Sequence, residues 1–184
     1  MIHRHVIGVD TGNKGGIALL DPKGKMLSVI DVPLIWERRK GKKNPVALYD
    51  IQRIWDHINM IVDEYQLLTL CVERVHAMPT KDSSGKKMGG TVTNYRRGMA
   101  MGLWETIAAA TCLPAYYPLP KTWQSRLGVA AGERASLKAA KVLYPEAGLK
   151  FITKDAGRAA ALLIARYGVR WAGRFGSPNM RARQ

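Results

Sequence analysis

Two carboxylates stand where an ionised group is expensive. Val6 to Asp10 is a short apolar run closed by Asp10, and Leu67 to Val75 is a longer one interrupted by Thr69, by the carboxylate Glu73 and by Arg74 beside it. An unpaired charge in such a run costs several kcal/mol, on the order of a buried ion's penalty, unless something cationic offsets it. Asp31 also follows apolar residues, but Pro33 closes that strand and a solvated strand end accounts for it. Asp21, Glu37, Asp50, Asp82, Glu133 and Glu146 fall in turns, helix starts or loops, where water satisfies a carboxylate.

If the strands carrying Asp10 and Glu73 are parallel neighbours, both acids meet at their carboxyl ends, where open α/β sheets place their sites. Two acids in one pocket raise a pKa unless a divalent cation sits between them. Oxygen-only ligands suit Mg2+ or Mn2+ rather than zinc. A pair of such ions about 4 Å apart activates a water and stabilises the leaving oxygen of an in-line phosphoryl displacement. The plainer readings are a turn-forming Asp10 ahead of Gly12 and a Glu73 salt-bridged to Arg74 or another arginine.

The elements that must position these acids follow from apolar spacing. Val6 to Asp10, Ile17 to Leu20 and Met26 to Val32 read as three strands joined by tight turns at Gly12 to Gly16 and Asp21 to Gly24, an antiparallel meander. Arg38 to Asn44 reads as a charged loop, and Val46 to Glu64 as an amphipathic helix. Leu67 to Val75 is a central strand, Pro79 to Thr93 a loop, Asn94 to Thr111 a helix and Ala115 to Leu119 a fifth strand. Helices over Arg134 to Leu143 and Asp155 to Trp171 precede a basic tail from Phe175 to Gln184. The expectation is one α/β domain over residues 1–184, a five-stranded mixed sheet of meander plus two parallel strands, flanked by helices.

The 184 residues carry 29 Lys and Arg against 14 Asp and Glu, a net charge of +15, which points to a polyanionic partner, nucleic acid first. No apolar run approaches the roughly 18 residues of a spanning helix, so no membrane is expected. Met1 to His5 is polar and shows no signal-peptide core. The expected setting is a bacterial-type cytoplasm or nucleoid, or an organelle after removal of a transit peptide. Cys71 and Cys112 read as buried reduced thiols, and His3, His5, His57 and His76 form no zinc pattern.

The stretch IGVDTGNKGGIALLD from Ile7 to Asp21, then CVERVHAMP from Cys71 to Pro79, resembles the RuvC-like Holliday-junction resolvases of the RNase H-like superfamily, particularly bacteriophage and prophage members. Asn94 to Ala110 with its Gly-x-x-Trp-Glu core, PKTWQSRLG from Pro120 to Gly128 and GRAAALLIARYG from Gly157 to Gly168 continue the likeness in order, over nearly the whole chain. The resemblance implies an RNase H-like fold and a homodimeric, Mg2+-dependent (or Mn2+-dependent) endonuclease that resolves four-way DNA junctions and leaves 5′-phosphates. It makes Asp10 and Glu73 metal ligands and Asp155 the first acid of the last helix. The second acid would fall at Ala160, where this chain has alanine within Ala159 to Ala161. Three explanations stay open: an acid removed by substitution to inactivate the enzyme, variation compensated by Asp155, or a protein that binds junctions without cutting. A nuclease acting on hybrids, flaps or single strands is the other enzymatic reading.

Basic residues are candidates for holding DNA: Arg38, Arg39, Lys40, Lys42 and Lys43 in one loop, Lys81, Lys86 and Lys87 in another, then Arg96, Arg97, Lys121, Arg126, Arg134, Lys138 and Lys141. Lys121 and Arg126 rank higher than the first cluster, since the fifth strand ends beside the proposed site. With no base-reading motif, recognition by backbone and shape is expected. Met88 to Tyr95 is a candidate wedge, with Tyr95 either stacking on a base or packing in the core. Met99, Met101, Leu103 and Trp104 are candidates for a dimer interface, with core packing as the rival.

Overall fold

The computed structural model describes residues 4–38, 40–41, 44–77, 85 and 90–171. The strands are β1 (His5–Asp10), β2 (Gly16–Leu20), β3 (Met26–Asp31), β4 (Leu34–Glu37), β5 (Val46–Tyr49), β6 (Leu68–Val72) and β7 (Ala115–Tyr116). The helices are α1 (Ile51–Glu64), α2 (Thr91–Ala110), α3 (Pro120–Leu127), α4 (Glu133–Leu143) and α5 (Ile152–Trp171). The main sheet runs β3-β2-β1-β6-β7, with β1–β2 and β2–β3 antiparallel and β1–β6 and β6–β7 parallel. This is the mixed five-stranded sheet expected from the sequence.

Alternation along the central strands divides the core into two layers. Ile7 and Val9 of β1 join Leu70 and Val72 of β6, and they pack with Ile54, Ile58 and Ile61 of α1 and Trp104 and Ile107 of α2. Val6 and Cys71 look the other way, toward Trp123 of α3, Leu137 and Ala140 of α4 and the buried face of α5. The α5 helix lies unusually close to the sheet. A Cβ on Gly8 would collide with the Ala161 carbonyl and with Ala165, and one on Gly157 would collide with the Lys14 carbonyl. Backbone pairing of Gly15 with Gly157 ties the start of α5 to the turn behind β1.

Three local expectations are corrected. Val46 does not begin a helix: Val46–Tyr49 pairs antiparallel with Leu34–Glu37 as a separate hairpin, and α1 starts after Asp50, whose carboxylate accepts the Arg53 N–H at 3.1 Å. The fifth strand stops at Tyr116 instead of Leu119. Pro118 lacks the N–H a ladder needs, and Pro120 at the first turn starts α3, a helix not anticipated. Cys71 is buried, but Cys112 is exposed at a positive φ of 52° just past α2. No described helix is long and apolar enough to cross a membrane.

Candidate active site

Asp10 closes β1 and Glu73 follows β6 directly, with the Glu73 N–H donating to the Val9 carbonyl at 2.9 Å. Strand alternation sends both side chains to the α3–α5 side, since Val6 and Cys71 face that layer and lie an even number of residues away. The pair therefore meets at the carboxyl edge of two adjacent parallel strands.

Each acid is shifted by its surroundings. Burial pushes Asp10 up to about 6, against one hydrogen bond accepted from the Gly12 N–H at 3.1 Å, and Glu133 at the start of α4 adds repulsion. Burial also pushes Glu73 up to about 7, Asp10 adds repulsion, and the Trp123 indole Nε1 counters by donating to Glu73 Oε1 at 2.9 Å. The salt bridge from Glu73 to Arg74 is not formed, and no described Lys or Arg pairs with either acid. Two desolvated oxygen donors with no cation fit a hard divalent ion such as Mg2+ or Mn2+. Among the described residues no group of three His, Cys, Asp or Glu side chains stands together for a metal.

Asp155 has other partners. Its carboxylate lies in the first turn of α5, is 2% exposed, and accepts the N–H groups of Lys150 at 2.5 Å and Phe151 at 2.8 Å. Arg158 binds the same carboxylate and reaches Asp31 of β3 at 3.3 Å. Burial alone would push Asp155 up, but these three donors reverse it and hold the group at about 2. It does not figure among the charges that shift Asp10 or Glu73. Five residues along a helix turn a side chain through about 140°, so Asp155 and Ala160 occupy different faces. Ala160 is half-buried and packs in the layer that Asp10 and Glu73 face.

Three neighbours of the acid pair carry little sequence signal. Trp123 is buried in the α3–α5 layer, Glu133 reaches Asp10 only through the placement of α4, and Tyr49 donates its hydroxyl to the carbonyl of Thr11 at 2.7 Å. Burial pushes Tyr49 up to about 12, the Asp10 charge adds to that and Arg96 opposes it, which places Arg96 of α2 on this side of the molecule.

Of the other basic candidates, Lys121, Arg134 and Lys138 are exposed on α3 and α4. Arg126 is exposed too, but α3 carries its charge toward Tyr167, in the last turns of α5. Arg97 is half-buried, with an Nη1 that finds no hydrogen-bond partner. Tyr95 is 67% exposed and so is not a core residue, whereas Trp104 is fully buried and leaves the list of interface candidates. Arg39, Lys42, Lys43, Lys81, Lys86, Lys87 and Met88 lie outside the described residues.

Among solved structures, Thermus thermophilus RuvC in complex with a Holliday junction substrate matches 94% of this chain and 97% of its own, with 18% identity and a TM-score of 0.53. The fold is that of RuvC. A second Thermus thermophilus RuvC structure matches 90% of this chain and 95% of its own at 19% identity, with a TM-score of 0.45. No family model and no curated protein sequence matches. The RNase H-like expectation is thereby met at the level of fold, and the RuvC arrangement of a mixed sheet flanked by helices is the one that sets Asp10 beside Glu73.

Proposed function

We propose that this chain is a divalent-metal-dependent endodeoxyribonuclease selective for branched DNA, with the four-way junction as substrate. The carrying observation is the pair of half-buried, mutually repelling carboxylates at the ends of β1 and β6 in a chain of net charge +15. Asp10 and Glu73 are the residues that would hold magnesium or manganese. Such ions supply water activation and stabilise the leaving oxygen, giving a 5′-phosphate product. Trp123 fixes the rotation of the Glu73 carboxylate. Arg96 and Lys121 are exposed cations suited to hold phosphates that flank the site. A homodimer related by a two-fold axis would present two such sites to symmetric strands of a junction.

Ala160 leaves this layer one carboxylate short of the pattern that the resemblance implies, so the chain as it stands is proposed to bind junctions and cut them poorly. The test is a labelled four-way junction and a matched duplex, incubated with the parent, Ala160→Asp and Asp10→Asn in magnesium and in EDTA. Paired symmetric nicks from Ala160→Asp in magnesium alone, and none from Asp10→Asn, support the reading. Equal affinity for junction and duplex with no nicking by any form would sink it.

A further inference from the structure

The β4–β5 hairpin stands apart from the main sheet. Its register pairs Leu34 with Tyr49, Ile35 with Leu48, Trp36 with Ala47 and Glu37 with Val46. A lone two-stranded ribbon is at best marginally stable in water, so its base must be held by something else. The Tyr49 hydroxyl on the Thr11 carbonyl does this at 2.7 Å, as does the Asp50 N–H on the Pro33 carbonyl at 3.0 Å. The base is thus fastened to the residue that follows Asp10.

Beyond that base β4 is exposed while β5 stays half-buried. Trp36 is 64% exposed, and Ile35 beside it is half exposed. Register places Trp36 on the same face as Tyr49, with only the Ala47 methyl opposite it, so the indole has a free stacking surface. The sequence that follows, residues 38–43, reads Arg-Arg-Lys-Gly-Lys-Lys, and the described Arg38 and Lys40 are exposed. Four residues of ribbon span about 13 Å, roughly four nucleotide steps of a duplex strand.

We propose that this hairpin is a nucleic-acid-binding arm, which lays Trp36 on an unpaired base and delivers Arg38 and Lys40 to the phosphates of the strand leading into the Asp10–Glu73 site. Aromatic stacking tolerates any base, and phosphate contacts tolerate any sequence, so the arm reads unpaired structure rather than a motif. The proposal rests on the nucleic-acid reading given above and adds to it the surface that selects branched over continuous duplex.

The experiment is anisotropy of a labelled four-way junction and a labelled duplex, titrated at several KCl concentrations with the parent, Trp36→Ala, Trp36→Phe and the double variant Arg38→Ala with Lys40→Ala, each checked by its thermal melt. Trp36→Ala is expected to bind the junction about tenfold more weakly while Trp36→Phe keeps most of the affinity. The double variant is expected to lower the slope of log affinity against log salt by about 1 to 2. Equal junction binding by parent and all hairpin variants overturns the arm while leaving the nuclease reading intact. Equal DNA binding with loss of self-association in Trp36→Ala overturns it in favour of a contact between copies. No DNA binding by the parent overturns the underlying reading itself.

Discussion

The indole of Trp123 donates to Glu73 across fifty positions of sequence, and it is the only hydrogen bond from a described side chain to either member of the acid pair. Because that bond lowers the Glu73 pKa, Trp123→Phe is expected to raise it above about 7. At neutral pH a larger fraction of Glu73 would then be protonated, and Mn2+ affinity followed by electron paramagnetic resonance should fall with its pH dependence displaced upward. Unchanged Mn2+ titrations at pH 6, 7 and 8 would remove Trp123 from the site.

The pair also dictates how stability responds to pH in the absence of metal. Both native pKa values are raised, Asp10 to about 6 and Glu73 to about 7, so between about pH 4 and 7 the native state keeps protons that the unfolded chain releases. Their joint contribution therefore weakens stability as pH rises through that window. Asp10→Asn keeps an acceptor for the Gly12 N–H and removes the repulsion, and at pH 7.5 in EDTA it should melt about 2–4 °C higher, as about 1 kcal/mol implies. Added magnesium should raise the parent's melting temperature more than the variant's. A lower melting temperature for Asp10→Asn in EDTA would refute the account.

Asp155 titrates in the opposite sense. Held at about 2, it stabilises the fold above the ordinary carboxylate range and loses that contribution as pH falls from about 4 toward 2. Asp155→Ala removes the acceptor of the Lys150 and Phe151 N–H groups and leaves Arg158 with Asp31 as its ion-pair partner, and is expected to cost about 2–4 kcal/mol. Calorimetric titration should show Mn2+ affinity within about twofold of the parent, whereas a tenfold loss would return Asp155 to the metal site.

Ala160→Glu should have the converse profile. The added carboxylate enters the layer already holding Asp10 and Glu73, so Mn2+ affinity is expected to rise about tenfold or more while the metal-free protein loses stability at neutral pH. A variant that binds Mn2+ no more tightly would show that position 160 does not face the pair.

Gly8→Ala probes the scaffold. The new methyl would overlap the Ala161 carbonyl and Ala165 on α5, and packed backbone has nowhere to move. A loss of about 3 kcal/mol or more is expected in urea unfolding, and a change below about 1 kcal/mol would contradict the close approach.

Asp10 and Glu73 are legible in the sequence because a charge inside an apolar run stands out against its neighbours. The meander and both parallel strands are legible for the same reason, since period and turn residues are local properties. Glu133 is not: it sits at a helix start like any solvated acid, and only the docking of α4 brings its charge near Asp10. Trp123 gives no warning either, because what matters is its indole nitrogen meeting a carboxylate from another element. The hairpin is hidden by Pro33, which looks like the end of structure but merely separates β3 from β4. Asp155 carries two readings that sequence does not separate. A carboxylate at the head of a helix is as well suited to capping it as to holding a metal, and here it accepts the backbone N–H groups of Lys150 and Phe151.

The bond between Pro33 and Asp50 makes the hairpin a cassette. Its two ends already touch, so the intervening chain can be shortened, lengthened or exchanged without any strand of the main sheet having to shift. On the proposed reading, the DNA shape that the ribbon grips can be retuned independently of the chemistry at Asp10 and Glu73, and an engineer can graft a different ribbon between the same two residues.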